Sequence, residues 1–151
     1  MGFNSIIVFV AWSAMAGISV PVMASMTGTL GRSLASPAYG ALVAVLIGLA
    51  GVIVTLLAIR APAPSGGAFA SVPAWAYAGG LGMAFYALSA AFVTPRFGVG
   101  NFVICVVLAQ LVMSSVIDQF GLFGAPVNPM SLRRVVGLVL LGGGAALVAL
   151  K

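Results

Sequence analysis

Charge is nearly absent from this chain. Only 5% of its 151 residues are charged, and 63% are hydrophobic. A soluble domain carries about 25% charged residues, and so few charges cannot cover the surface of a water-soluble globule. The sequence therefore belongs in lipid. The cations are Arg32, Arg60, Arg96, Arg133, Arg134 and Lys151, and the lone acid is Asp118. Histidine is missing altogether, and Cys105 is the single cysteine. One cysteine excludes an internal disulfide framework. With no histidine, one thiol and one carboxylate, no metal site is expected and no cofactor is implied. Hydrolytic and redox active sites need several ionisable groups, so an enzyme is not expected. Nor is nucleic-acid binding: the cations are scattered one or two per loop and form no basic face.

What the sequence does have is long apolar runs. A bilayer core of about 30 Å needs about 20 apolar residues per helix. Five stretches qualify, at about 6–30, 37–59, 73–93, 100–120 and 131–150. They are continuously apolar rather than alternating, which argues against a β-barrel. The predicted fold class is an all-α membrane protein, one five-helix domain over 1–151 with no extramembrane domain. Asn4 or Ser5 is the expected cap of the first helix, and Gly31-Arg32-Ser33 its close. Ser36-Pro37 reads as an N-cap followed by proline at the first helical position. Residues 61–67, Thr94–Gly98 and 121–129 are breaker-rich and read as loops or turns. The first run lacks the positive flank of a signal peptide and is too long for its apolar core. The Met1-Gly2 start lacks the Ser or Thr at position six that myristoylation needs.

Five spans put the termini on opposite sides. Arg60, Arg133 and Arg134 then share the N-terminal side, side A, while Arg32, Arg96 and Lys151 share side B. Orientation is normally set by an excess of Lys and Arg in cytoplasmic loops, and here there is none. Two readings stay open. One or two positions dominate insertion, or the same chain inserts both ways and pairs antiparallel, generating the inverted repeat that many transporters encode in one chain.

Three helices carry faces suited to chemistry. On the first, Trp12, Ala16, Ser19, Met23 and Thr27 follow helical spacing on one side. Pro21 cannot donate to the Gly17 carbonyl, so a kink or hinge is expected at Gly17 and Pro21. On the third, Trp75, Gly79, Gly82, Tyr86 and Ser89 share a stripe. Small residues there also suit plain helix packing, with Trp75 and Tyr77 as interfacial anchors. On the fourth, Gln110, Ser114 and Asp118 lie at i, i+4 and i+8. An intramembrane acid is a functional candidate, for coupling or for an ion pair with Arg133 or Arg134. Small residues on the second and fifth helices (Gly40, Ala44, Gly48; Gly137, Gly142 to Gly144) read as helix contact faces.

These motifs resemble the drug/metabolite transporter (EamA-like) superfamily, and within it the YdcZ-like branch of short proteins holding one five-helix half of a ten-helix pattern. The resemblance runs from about Ala14 to Leu150. It rests on Pro21, Leu30-Gly31-Arg32, Gly79-Gly80 with Tyr86, Pro95-Arg96 with Gly98, and Gln110, Ser114, Asp118, Gly121 followed by Ser131-Leu132-Arg133-Arg134. Met23 and Thr27 stand where the branch has Gln and Asn, which makes this face more apolar. The resemblance implies one half of a 5+5 inverted-repeat secondary transporter in a bacterial inner membrane, working by alternating access. It implies a cavity walled by the first, third and fourth helices. Trp12, Ser19, Met23, Thr27, Tyr86, Ser89, Gln110 and Ser114 are the expected contacts to a small amphipathic or aromatic solute. The implied partner is a second antiparallel copy or an oppositely oriented paralogue, within membrane lipid. The glutamate that small multidrug resistance proteins carry in their first helix is absent, so their proton exchange is not expected. Two other functions fit the same faces: a lipid or lipid-linked flippase, and a non-transporting accessory subunit.

Overall fold

The structure is a computed structural model that describes residues 3–149, with side chains described for 7–148. The expectations for Met1-Gly2 and Lys151, and for the side chains of Asn4 and Ser5, lie outside the described residues. All regular structure among the described residues is helical. The helices are α1 (Phe3–Ser33), α2 (Pro37–Ala58), α3 (Gly66–Ser71), α4 (Ala74–Tyr77), α5 (Gly79–Phe97), α6 (Val99–Phe120) and α7 (Leu132–Ala149). A 3-10 turn follows α6 at Leu122–Gly124. Four segments are long and apolar enough to cross a membrane: Ile7–Ser33, Pro37–Ala58, Ala74–Phe97 and Val99–Phe120. α7, at 18 residues with Arg133 and Arg134 in its first turn, is not among them.

The chain divides into two compact units, residues 1–96 and 97–151. In the first, α1 and α2 form a helical hairpin. The buried side chains are Ala24, Thr27, Ala41, Ala90, Ala91 and Thr94, all small. Large apolar residues such as Trp12, Leu46, Leu57 and Phe85 are exposed instead. This inverts a soluble core, and lipid explains it. Hydrocarbon is as apolar as leucine, so burying leucine against protein gains little, whereas small residues let backbones touch. The tightest point is Gly40 against Gly31. A Cβ on Gly40 would stand 2.5 Å from the Gly31 nitrogen and 2.6 Å from its Cα.

Helix ends follow local chemistry. α1 does not stop at Gly31; it runs through to Ser33, and Gly31 is buried inside it. The chain then turns at Ala35, with φ 50°. The Ser36 N–H bonds the Gly31 carbonyl and the Ala35 N–H bonds the Arg32 carbonyl. This is the Schellman close, in which an αL residue satisfies the last carbonyls. α2 ends the same way at Arg60, with φ 49°. Ser36 caps α2 as expected, its side chain accepting from the Tyr39 N–H at 3.4 Å.

Three boundaries differ from the sequence expectation. The Pro/Gly-rich loop turns helical at Gly66, and Tyr77 donates its hydroxyl to the Phe69 carbonyl at 2.8 Å, tying α4 to α3. A tight turn at Ala78 separates α4, with Trp75, from α5. The predicted turn at Thr94–Gly98 is a helix as far as Phe97, with Pro95 inside it. Only Gly98, at φ 88°, breaks the chain. Pro95 removes the donor for the Ala91 carbonyl. That carbonyl faces α1 across the small-residue contact, 3.2 Å from where a Cβ on Gly31 would be.

The two glycines of α2 separate these effects. Gly40→Ala should destabilise the protein by about 1–3 kcal/mol through overpacking. Gly48→Ala meets nothing within 4 Å and should be neutral or stabilising by up to about 1 kcal/mol from helix propensity. Reversible unfolding of both variants in mixed micelles by sodium dodecyl sulfate measures the difference.

Candidate functional site

The residues named from the sequence divide between the units. On α1, Trp12 is 76% exposed, and Ser19 and Met23 are also exposed. Ser19 donates to the Ala16 carbonyl at 2.6 Å, and the helix continues through Pro21. Gly17 is open, with nothing within 4 Å of a Cβ placed on it. Thr27 differs from the rest of its stripe: it is only 3% exposed and belongs to the small-residue contact. Beside that contact, Gly28 leaves room for the Thr94 hydroxyl, which a Cβ would overlap. Thr94 donates to the Ala90 carbonyl at 2.7 Å, with the Ala24 carbonyl at 3.5 Å. A hydroxyl bonded within its own helix can thus be buried in lipid without stranding a polar group.

Tyr86 and Ser89 are half-buried on α5. Ser89 lines an open cavity of about 490 Å³ with Ser36, Pro37 and Ala38 from the start of α2 and Leu88, Phe92 and Val93 from α5. The structure thus brings Ser89 to the α2 N-terminus. It does not bring it to Trp12, Ser19 or Met23, none of which lines this cavity.

In the second unit, the α6 stripe grades from exposed to half-buried. Gln110 is exposed, while Ser114 is half-buried and donates to the Leu111 carbonyl at 3.0 Å. Its neighbour Ser115, 1% exposed, donates to the same carbonyl at 2.8 Å. Asp118 closes the stripe with an ion pair to Arg134, Nη2 to Oδ2 at 2.7 Å. Three further bonds surround that pair. The Asn128 N–H donates to the Asp118 carbonyl, and the Met130 N–H to Gln119 Oε1. Ser131 Oγ caps α7 by accepting from the Arg134 N–H. Gly121, at φ 60°, makes the turn out of α6, and a Cβ there would press on Val127 at 2.8 Å. Together these groups clamp the connection from α6 to α7. An open apolar groove of about 420 Å³ runs between the two helices, lined by Val107, Leu111 and Gly144 among others.

Sequence reasoning missed Gly28, Ala90, Ala91, Thr94 and Ser115 as contact residues. The available signal was small residues at helical spacing, Gly28 with Gly31 and Ala90 with Thr94. The contact face assigned to α2 is used at Gly40, while Gly48 stays open, as do Gly137 and Gly142 to Gly144 of α7.

A family model described as "Putative inner membrane exporter, YdcZ" matches residues 8–147. The chain belongs to this family. The match covers every helix that carries a polar stripe and confirms the YdcZ-like branch of the drug/metabolite transporters as its place. With four apolar membrane-length helices, the chain is a multi-pass inner-membrane protein of a transport family. No curated protein and no solved structure matches it.

The Asp118–Arg134 pair is about one-third exposed on both sides (34% and 32%), so its contribution is set near the surface range, about 1 kcal/mol or less. Asp118→Asn and Arg134→Gln should each cost about that much, with the double variant no worse than either. Arg133→Gln should be silent. Unfolding in mixed micelles across this double-mutant cycle checks the coupling.

Proposed function

We propose that this YdcZ-family chain is one half of a secondary transporter, exporting a small amphipathic or aromatic solute by alternating access as an antiparallel two-chain unit. The observation that carries the proposal is Gln110. Its amide lies mid-helix on a membrane-length segment and is exposed on the lone chain. An amide facing hydrocarbon is costly unless protein or a water-filled cavity covers it. A second chain supplies that cover, and the resulting interior supplies a solute path.

Two further features support this reading. The six cations divide three and three between the sides in a five-span arrangement, which leaves no charge excess to select one orientation. Open glycines at Gly79, Gly82 and Gly142 to Gly144 offer room for helices of another subunit. In this scheme Tyr86, Ser89, Gln110 and Ser114 contact the solute from polar positions, with Trp12, Ser19 and Met23 on the α1 stripe, while Thr27 packs in the helix contact. Gly17 and Pro21 give α1 its hinge. Asp118, held by Arg134, braces the connection from α6 to α7 instead of carrying a coupling proton.

Two measurements test the proposal. A reporter fused to the C-terminus should give comparable signal from both sides of the membrane, and signal from one side alone rejects the antiparallel pair. Proteoliposomes offered a labelled panel of aromatic and amphipathic metabolites should show flux. Tyr86→Ala with Gln110→Ala should lower it about tenfold, the scale of one to two lost hydrogen bonds. Equal flux in wild type and double variant counts against the assigned path.

A further inference from the structure

The first unit contains three arginines, Arg32, Arg60 and Arg96, and no carboxylate. The lone acid, Asp118, lies in the other unit and is engaged by Arg134. Arg96 stands in the last turn of α5. Its Nη1 donates to the Phe92 carbonyl at 2.6 Å, and its guanidinium carbon lies 4.1 Å from the centroid of the Phe92 ring. A guanidinium carries five N–H donors, so one carbonyl leaves most of them for another acceptor.

Phe92 also forms part of the wall of the open cavity of about 490 Å³. Leu88, Val93 and Pro37 continue that wall as an apolar trough, and Ser36 and Ser89 add two hydroxyls. Ser36 and Pro37 begin a membrane-length helix. The cavity therefore lies where a span enters the bilayer, at headgroup depth. The first turn of any helix also leaves N–H groups without intrahelical acceptors, and Ala38 of that turn lines the cavity. A cation stacked on Phe92 of the cavity wall, an apolar trough beside it and no acid in the unit together select a ligand with a negative head and a hydrocarbon tail.

We infer that this cavity binds one anionic phospholipid, its acyl chain along Leu88, Phe92 and Val93 and its phosphate on the Arg96 guanidinium. Charge complementarity favours the anionic lipid. A choline headgroup would bring a second cation beside Arg96, and the unit has no carboxylate to receive it. A soluble phosphate would leave the apolar trough unfilled. The inference requires only that the chain lies in a membrane; Ser89, which lines this cavity and also belongs to the proposed solute path, is not one of the lipid contacts it names.

The test uses the full-length protein in native mass spectrometry, with equimolar phosphatidylglycerol and phosphatidylcholine of matched acyl chains. One phosphatidylglycerol should be retained about fivefold over phosphatidylcholine, the preference expected from one basic group at an anionic surface. Arg96→Gln should abolish the preference. Arg60→Gln, which removes an exposed cation outside the cavity, should keep it. Ala38→Phe, which fills the trough and leaves every charge in place, should reduce retention of the lipid. Inorganic phosphate should not displace it. The inference is overturned by equal retention of the two lipids, by an unchanged preference in Arg96→Gln, by equal loss in Arg60→Gln, or by displacement with phosphate. If Arg96→Gln does not fold, unchanged retention in Ala38→Phe overturns it alone.

Discussion

The first unit depends on one contact, the backbone of Gly40 against the backbone of Gly31. In water a helical hairpin is held by the apolar area it buries. In lipid that driving force between helices disappears, and close packing takes its place. Close packing requires that side chains withdraw, which is why the buried set is alanine, threonine and glycine while tryptophan and leucine face outward. The Schellman turn at Ala35 follows from the same contact. It reverses the chain within the few residues between Ser33 and Pro37, so that Gly40 returns beside Gly31. Thr94 fits against the room left by Gly28 because its hydroxyl is already satisfied by Ala90 within its own helix.

The second unit solves the same problem with polar groups. Its connection from α6 to α7 contains Pro126 and Pro129, two residues without N–H donors, in a segment that cannot satisfy itself by regular bonding. Asp118 and Gln119 accept from its Asn128 and Met130 N–H groups, Ser131 caps α7, and Arg134 reaches back to the Asp118 carboxylate. A loop at a membrane boundary keeps its shape when its N–H groups find acceptors within the protein. That gives the chain's only acidic side chain a structural partner at the end of the polar stripe.

The sequence made the helices legible because their signal is strong: runs of about 20 apolar residues leave few alternatives. The Ser36 cap and the Gly121 turn were legible for a similar reason, since each residue suits one local geometry. Contacts were harder to read. Gly40 and Gly48 are equivalent in sequence, yet only Gly40 meets a neighbour, because helix crossing is a local event fixed by the turn at Ala35. Proline misled at Thr94–Gly98. A proline ends a helix when the freed carbonyl has no other environment, and here the Ala91 carbonyl lies against Gly31. Spacing put Gln110, Ser114 and Asp118 on one face of α6, but it could not separate Ser114 from the fully buried Ser115.

The ion pair also bears on how the charge count should be used. In a five-span chain, pairing with Asp118 leaves side A with a net of two positive charges and side B with three. That imbalance would favour one orientation if net charge decided insertion. It does not: orientation follows Lys and Arg, and Asp and Glu contribute little. Because an acid contributes little to that choice, Arg134 counts as a full cation even though it pairs with Asp118. Three then oppose three. The imbalance left after folding belongs to the finished chain, and in the proposed antiparallel pair it cancels, since each face then carries one side A and one side B. On the proposed five-span, antiparallel arrangement, the same six cations would leave orientation open during synthesis and give the pair two equally charged faces.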